Sequence, residues 1–278
     1  MSKPIKIGPV TVGGQAPLAV IAGPCVIESD AQAEEIAAGL KALAARLEIG
    51  LIFKASFDKA NRSSLSSFRG PGLVQGLKIL AGIREKYGLP VISDIHEPSQ
   101  VPAAAEALDA LQIPAFLARQ TDLLVAAARS GRPVNVKKGQ FMAPEDMGQA
   151  VAKMEVQPNF AGLCLCERGT SFGYHNLVVD MRSLPLMASL GWPVIFDATH
   201  SVQLPTAGHR CSGGDRRFIP TLARAAVAVG LDGLFLETHP DPDRARCDAA
   251  NQWPLNQLEK LLADLLAIHR LRPAGEGA

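Results

Sequence analysis

A (β/α)8 barrel, an α/β fold, is predicted by three observations. Eight apolar, β-branched-rich runs of strand length recur along the 278 residues, a helix-like stretch follows each, and the runs stop at charged, polar or nucleophilic residues. The runs are Leu18–Cys25, Gly50–Ser56, Pro90–Asp94, Ala110–Ala115, Pro133–Lys138, Ala161–Arg168, Pro193–His200 and Gly233–His239. Their polar ends include Cys25, Lys54, Asp94, Gln112, Lys137, Lys138, Arg168, Asp197, His200, Glu237 and His239. In such a barrel the C-terminal strand ends converge on one mouth, where the chemistry of these enzymes is done. The chain is therefore expected to be an enzyme with its site at that mouth.

Taken in order, Ile5–Val12 alternates around Gly8-Pro9 and is expected to form a short β-hairpin, within an N-terminal segment 1–17, that caps the barrel's N-terminal end. The helices are expected over Ala31–Leu47, Gly72–Lys86, Ser99–Leu108, Asp122–Arg129, Pro144–Lys153, Asn176–Leu190, Phe218–Val229 and Leu255–Arg270. Ser29-Asp30 is a cap before the first, Asp122 before the fourth, and Pro254 stands at the entry of the last. The connections Phe57–Pro71 and Ser201–Arg217 are too long for plain turns, and long polar loops at an active mouth bind or cover substrate. Residues 1–278 read as one barrel domain ending in a flexible tail at 273–278.

Bulk properties narrow the function. A formal net charge of +1 leaves no basic footprint for nucleic acid, so any anion binding must be local. No run of about 18 uncharged apolar residues occurs, and Met1–Gly14 lacks the order of a signal peptide, so a cytoplasmic protein without a membrane partner is expected. The five cysteines are scattered and odd in number, which suits buried fillers or ligands rather than a disulfide framework.

The loop after the second strand carries Lys54, Ser56, Asp58, Lys59, Asn61, Arg62, Ser63, Ser64, Ser67 and Arg69. Ammonium, guanidinium and hydroxyl groups at this density suit an oxyanion. A solvated surface loop would look similar. Lys54 argues against that reading, because a lysine closing an apolar strand is costly to desolvate unless an anion compensates. Lys137-Lys138 and Arg168 bring further cations to the same mouth, which points to a phosphorylated, carboxylated substrate. A second constellation, Cys25, His200, Glu237 and Asp248, offers thiolate, imidazole and carboxylates to a borderline divalent ion such as zinc, iron, cobalt or manganese. Each has an ordinary reading as well: Cys25 as a small buried hydrophobe, His200 as a general base or structural histidine, Glu237 and Asp248 as partners of the mouth's cations.

The strings Ile21-Ala-Gly-Pro-Cys25-Val-Ile-Glu28-Ser, Phe53-Lys-Ala-Ser-Phe-Asp-Lys-Ala-Asn-Arg-Ser-Ser64, Ser67-Phe-Arg-Gly-Pro-Gly72, Phe116-Leu-Ala-Arg-Gln-Thr-Asp122, Asn135-Val-Lys-Lys-Gly-Gln-Phe141, Asp197-Ala-Thr-His200 and Glu237-Thr-His-Pro240 resemble the 3-deoxy-D-manno-octulosonate 8-phosphate synthases from about residue 18 to 270. The resemblance implies a cytoplasmic transferase of lipopolysaccharide biosynthesis, condensing phosphoenolpyruvate with D-arabinose 5-phosphate and releasing inorganic phosphate. Cys25 resembles the metal-dependent branch, and the resemblance implies Cys25, His200, Glu237 and Asp248 as ligands of one divalent ion (Zn, Fe, Mn or Co), with no organic cofactor. It implies phosphoenolpyruvate contacts at Lys54, Ser56, Lys59, Lys137, Gln140 and Arg168, pentose phosphate contacts at Asn61, Arg62 and Ser63, and sugar-side groups at Asp94 and Gln112. Arg119 resembles a phosphate-binding residue often lent by a neighbouring subunit, hence an expected homotetramer. Lys59, Asp94 and His200 are the expected catalytic residues, Lys59 as general acid toward the aldehyde oxygen.

Three other readings carry distinct tests. A 3-deoxy-D-arabino-heptulosonate 7-phosphate synthase would use erythrose 4-phosphate, and the Lys59-Ala-Asn-Arg-Ser-Ser string separates it, those enzymes carrying a Pro-Arg-Thr-like segment there. A metal-dependent aldolase acting on a pyruvate enolate would release no phosphate. A catalytically dead phosphosugar-binding barrel would show no turnover.

Overall fold

The computed structural model describes residues 1–62, 64–208 and 211–271. Two short strands, β1 (Ile5–Ile7) and β2 (Val10–Val12), pair antiparallel about Gly8, whose φ of 56° suits a residue without Cβ. Ile5, Ile7 and Val12 are buried. A Cβ at Gly8 would meet Pro90, Gly162 faces Ile5, and Gly50 faces Val10. Those neighbours stand where barrel strands begin, so the hairpin closes the N-terminal end, as its alternation predicts.

The eight expected runs each contain a strand: β3 (Ala19–Gly23), β4 (Leu51–Lys54), β5 (Val91–Asp94), β6 (Ala110–Ile113), β7 (Val134–Lys137), β8 (Leu163–Glu167), β11 (Val194–Asp197) and β14 (Gly233–His239). Two antiparallel ribbons lie between barrel strands, β9 (Thr170–Ser171) with β10 (Leu177–Val178), and β12 (Gln203–Gly208) with β13 (Cys211–Gly214). The eight pair in parallel in sequence order, and β11 with β14 and β14 with β3 close the ring. Every residue of all eight is buried, as expected for strands with side chains inside and helices outside. A two-residue strand β15 (Trp253–Pro254) extends β14.

The outer ring is α1 (Asp30–Leu47), α2 (Leu73–Tyr87), α3 (Val101–Ala107), α4 (Thr121–Arg129), α5 (Met147–Glu155), α6 (Ser183–Ala188), α7 (Ile219–Val229) and α8 (Leu255–Arg270). In α1 the Ser29 side chain accepts from Gln32 N as N-cap, and Ala33, Ile36, Ala37, Leu40, Leu43 and Ala44 form the buried stripe. No helix among the described residues is long and apolar enough to cross a membrane.

Four expectations need correcting. The expected helix Asn176–Leu190 is helical only over Ser183–Ala188: Leu177 and Val178 pair with Ser171 and Thr170, and Asp180 Oδ1 accepts from Arg182 N in the turn that follows. The Ser201–Arg217 connection carries a β-ribbon instead of plain loop. Asp122 lies in the first turn of α4, whose N-cap is Gln120. The barrel strands also stop short of several polar ends. Asp197 Oδ1 accepts from Thr199 N and His200 N, and Glu167 Oε1 from Arg168 N and Gly169 N, so each carboxylate turns the chain just past its strand. The tail 273–278 lies outside the described residues.

The 57–71 loop is pinched at its base, where Gly72 N donates to Phe57 O at 3.0 Å and Lys59 N to Arg69 O at 2.8 Å. Arg69 Nε reaches Asp58 Oδ1 at 2.7 Å across the same neck. Its ends are thereby fixed beside the mouth, while Leu65 at the tip is exposed.

Candidate active site at the barrel mouth

A buried polar chain crosses the top of four neighbouring strands. Lys54 Nζ, from the end of β4, lies 3.0 Å from Glu237 Oε1, 2.9 Å from Ser56 Oγ and 3.2 Å from Cys25 O. Ser56 Oγ donates to Asp94 Oδ2, Gln112 Nε2 to Asp94 Oδ1 at 2.6 Å, and Asn135 Nδ2 to Gln112 Oε1 at 2.8 Å. Burial by itself would push the Asp94 carboxyl up, but the Lys54 and Lys59 ammonium groups, with His96 and Gln112, hold it well below the usual carboxylate range. Lys54 is thus compensated by protein carboxylates, not held waiting for an anion. Lys59 reaches in from the loop, its Nζ 4.0 Å from Glu237 Oε1. Burial opposes its charge, yet Cys25, Glu237, Cys247 and Asp94 together raise it well above the ordinary lysine value.

Across the mouth, Lys137 ends β7 with its Nζ on Asp197 and 3.4 Å above the Phe235 ring. Asp197 Oδ2 also contacts His200 Nδ1 at 2.7 Å, which turns Nε2 toward Asp248 Oδ2 (3.6 Å) and Glu237 Oε1 (3.8 Å). Burial would lower His200, but Asp197 and Glu237 outweigh it and raise it. Cys25 Sγ is 3.5 Å from Asp248 Oδ2 and 2.8 Å from Cys247 Sγ. Burial pushes the Cys25 thiol well up, with Cys247 and Glu237 adding to it.

The donor atoms fall into two trios sharing Asp248: Cys25, Cys247 and Asp248, and His200, Glu237 and Asp248, each within 4.8 Å of one another. Glu237 Oε2 is buried with no hydrogen-bond partner among the described residues. A thiol, an imidazole oriented through its other nitrogen, and two carboxylates, one with an orphaned oxygen, fit a divalent ion of intermediate softness. The four residues singled out in the sequence are divided between these two trios, with Asp248 in both, although 223 positions separate Cys25 from Asp248.

One cavity opens over both groups. Lys54, Lys59, Asn61, Arg62, Asp94, Gln112, Lys137, Gln140, Arg168, His200 and Asp248 all line it. Arg168 donates from Nη2 to Gln203 Oε1 at 2.8 Å, while its buried Nη1 and the Gln140 Oε1 have no hydrogen-bond partner among the described residues. Those atoms are oriented groups available to a ligand.

Three sequence expectations fall elsewhere. Ser56 lies beneath the lining, bonded to Lys54 and Asp94. Lys138 turns away from the mouth, toward Thr170 Oγ1 at 2.9 Å and Glu167 Oε1 at 3.6 Å, because successive side chains leave a strand on opposite faces. Arg119 is exposed and outside the cavity lining. Ser63 lies outside the described residues. Sequence reasoning missed His96, Gln203 and Cys247 as lining residues. Each had a weak signal: His96 lies just past the third strand run, Gln203 in the long Ser201–Arg217 connection, and Cys247 beside Asp248.

The description "DAHP synthetase I family" belongs to the family pattern that matches residues 3–269. A 2-dehydro-3-deoxyphosphooctonate aldolase of Syntrophotalea carbinolica is 60% identical over 268 residues, 96% of this chain and 96% of its own length. Proteins of the same name from Geobacter metallireducens and Nitrobacter winogradskyi are 59% and 55% identical, covering 96% and 99% of this chain and 98% and 96% of their own lengths.

Proposed function

The chain belongs to the DAHP synthetase I family and, within it, to the 2-dehydro-3-deoxyphosphooctonate aldolases, and from that membership we propose that it is a transferase joining phosphoenolpyruvate to D-arabinose 5-phosphate. With water, the products are 3-deoxy-D-manno-octulosonate 8-phosphate and inorganic phosphate, a step of lipopolysaccharide biosynthesis. The relatives' shared name favours this reading over the heptulosonate reaction. The observation that carries the chemistry is one cavity lined by Lys54, Lys59, Arg62, Lys137 and Arg168, five cationic side chains, with the carboxylates of Asp58, Asp94 and Asp248 among them.

Phosphoenolpyruvate is an enol held as a phosphate ester, so its C3 can attack the aldehyde carbon of the sugar phosphate. Positive charge then develops at C2, water captures it, and the hemiketal phosphate loses phosphate to leave the ketone. Two anionic substrates repel one another, and the lining cations offset that repulsion while fixing the approach. Arg168 offers its unpartnered Nη1, beside Lys137, to the carboxylate and phosphate of phosphoenolpyruvate, and Gln140 lines the same cavity. Asn61, Arg62 and Ser63 take the pentose phosphate, and Asp94 with Gln112 takes sugar hydroxyls. Lys59, held charged by the carboxylates around it, delivers a proton to the aldehyde oxygen as the carbon–carbon bond forms. Cys25, His200, Glu237 and Asp248 would hold one divalent ion, which when bound supplies Lewis acidity toward a substrate or water oxygen.

We read the working form as a cytoplasmic homotetramer, since Arg119 is exposed and away from its own cavity, a placement that suits service to a neighbour's mouth. Oxygen-18 water tests which bond breaks. Label should enter the C2 carbonyl of the product and stay out of the released phosphate; label in phosphate would mean attack at phosphorus and overturn the mechanism.

A further inference from the structure

Cys25 and Cys247 form a pair that the reaction above does not use as a pair. Their sulfurs lie 2.8 Å apart although 222 positions separate them in the chain. Both are free and buried, and Phe68 packs against them. Cys247 also lines the mouth cavity, so a small solute entering there meets it first and Cys25 behind it. A packing role explains one buried cysteine. It does not explain two sulfurs in contact at a place where one of them is to serve as a thiolate ligand.

The geometry points to an oxidation site: peroxide joins Cys25 and Cys247 in a disulfide when no ion is bound, and the disulfide takes Cys25 out of the ion site. The electron balance is simple. The Cys247 sulfur attacks one oxygen of hydrogen peroxide, becomes a sulfenic acid, and one water leaves. The Cys25 sulfur then attacks that sulfur, the S–S bond forms, and the hydroxyl departs as a second water. Two S–H bonds have given up two electrons and peroxide has become two waters. A sulfur in an S–S bond carries no thiolate charge to donate, so bound ion and disulfide exclude one another. An external dithiol reverses the state by exchange. The thiol chemistry stands apart from the reaction proposed above, whereas the exclusion rests on the reading of Cys25 as a ligand.

The test treats the full-length protein with hydrogen peroxide after chelation, and again after loading with zinc, and follows thiol count and peptide masses rather than turnover. Expected in the chelated protein is loss of two of the five thiols, a mass lower by about 2 Da, and one crosslinked peptide joining Cys25 to Cys247, all restored by dithiothreitol. Zinc should abolish the crosslink. In Cys247→Ser the crosslink should be absent and Cys25 should instead climb to the sulfinic acid. No crosslink in the chelated protein, or a crosslink to another cysteine, overturns the proposal. A crosslink that forms equally with zinc bound upholds the thiol pair and overturns Cys25 as a metal ligand.

Discussion

Arg62 is held between its own loop and the one after the last barrel strand, with Nε donating to Phe68 O and Nη2 to Arg246 O, both at 3.2 Å. A guanidinium fixed at the cavity rim presents its remaining donors in one orientation, which suits a phosphate. Arg62→Ala should cost about 1.5–3 kcal/mol of binding, roughly a ten- to hundredfold rise in KM for arabinose 5-phosphate. The KM for phosphoenolpyruvate should change far less, and equal shifts for both substrates would contradict the assignment. Asp94 makes a stability argument. Its carboxyl is held low, so its contribution is complete above its unfolded value near 4 and fades as pH falls below that toward the folded value. Asp94→Asn takes one partner from the buried Lys54 ammonium and should cost about 3 kcal/mol at neutral pH. Denaturant titrations of both proteins should show that gap narrowing below about pH 4; a gap constant with pH would contradict it. At this scale the site was partly legible. Lys137, Arg168, Asp94 and Gln112 could be read because strand ends in a barrel share one mouth, and Lys59 because the long loop after the second strand opens at that mouth. The outward turn of Lys138 could not, since two adjacent lysines after a strand look alike until the pleat assigns their faces. Nor could the contact of Cys247 with Cys25, which depends on two loops 222 positions apart.

The element scale explains which parts of the fold the sequence betrays. Parallel strands buried on both faces read as unbroken apolar runs, and all eight were recoverable from that signal. The two-residue strands β9 and β10 have no period to detect, and the apolar residues near them pass for part of a helix. The junction of β3 and β4 is tight: a Cβ at Gly23 would lie 2.0 Å from Lys54 O, a backbone atom that cannot swing aside. Gly23→Ala should therefore shift the end of β4 that carries Lys54, costing about 1–3 kcal/mol and most of the activity. Gly82, exposed within α2 and with nothing within 4 Å of its Cβ position, is the control. Gly82→Ala should gain about 0.5–1 kcal/mol and leave kcat untouched. Urea midpoints of the two variants moving the same way would contradict this account of the junction.

For the whole molecule, the division of labour is that of the barrel. The hairpin seals the N-terminal end, the helices bury the outer faces of the strands, and the C-terminal ends carry the compensated charges. Three of the five lysines and arginines that line the mouth are already paired, Lys54 with Glu237 and Asp94, Lys59 with Glu237, and Lys137 with Asp197, so charge is concentrated at the site while the chain's net charge stays at +1. If Arg119 serves a neighbouring mouth, activity and assembly must fall together. Light scattering at assay concentrations should find a tetramer, and an active monomer would contradict that reading. The central claim is the reaction itself, and phosphate release tests it most directly. Purified protein given phosphoenolpyruvate should release inorganic phosphate with arabinose 5-phosphate, stoichiometric with an octulosonate product, and far more slowly with erythrose 4-phosphate. Phosphate release that is equal for the two sugars, faster with erythrose 4-phosphate, or absent would contradict it.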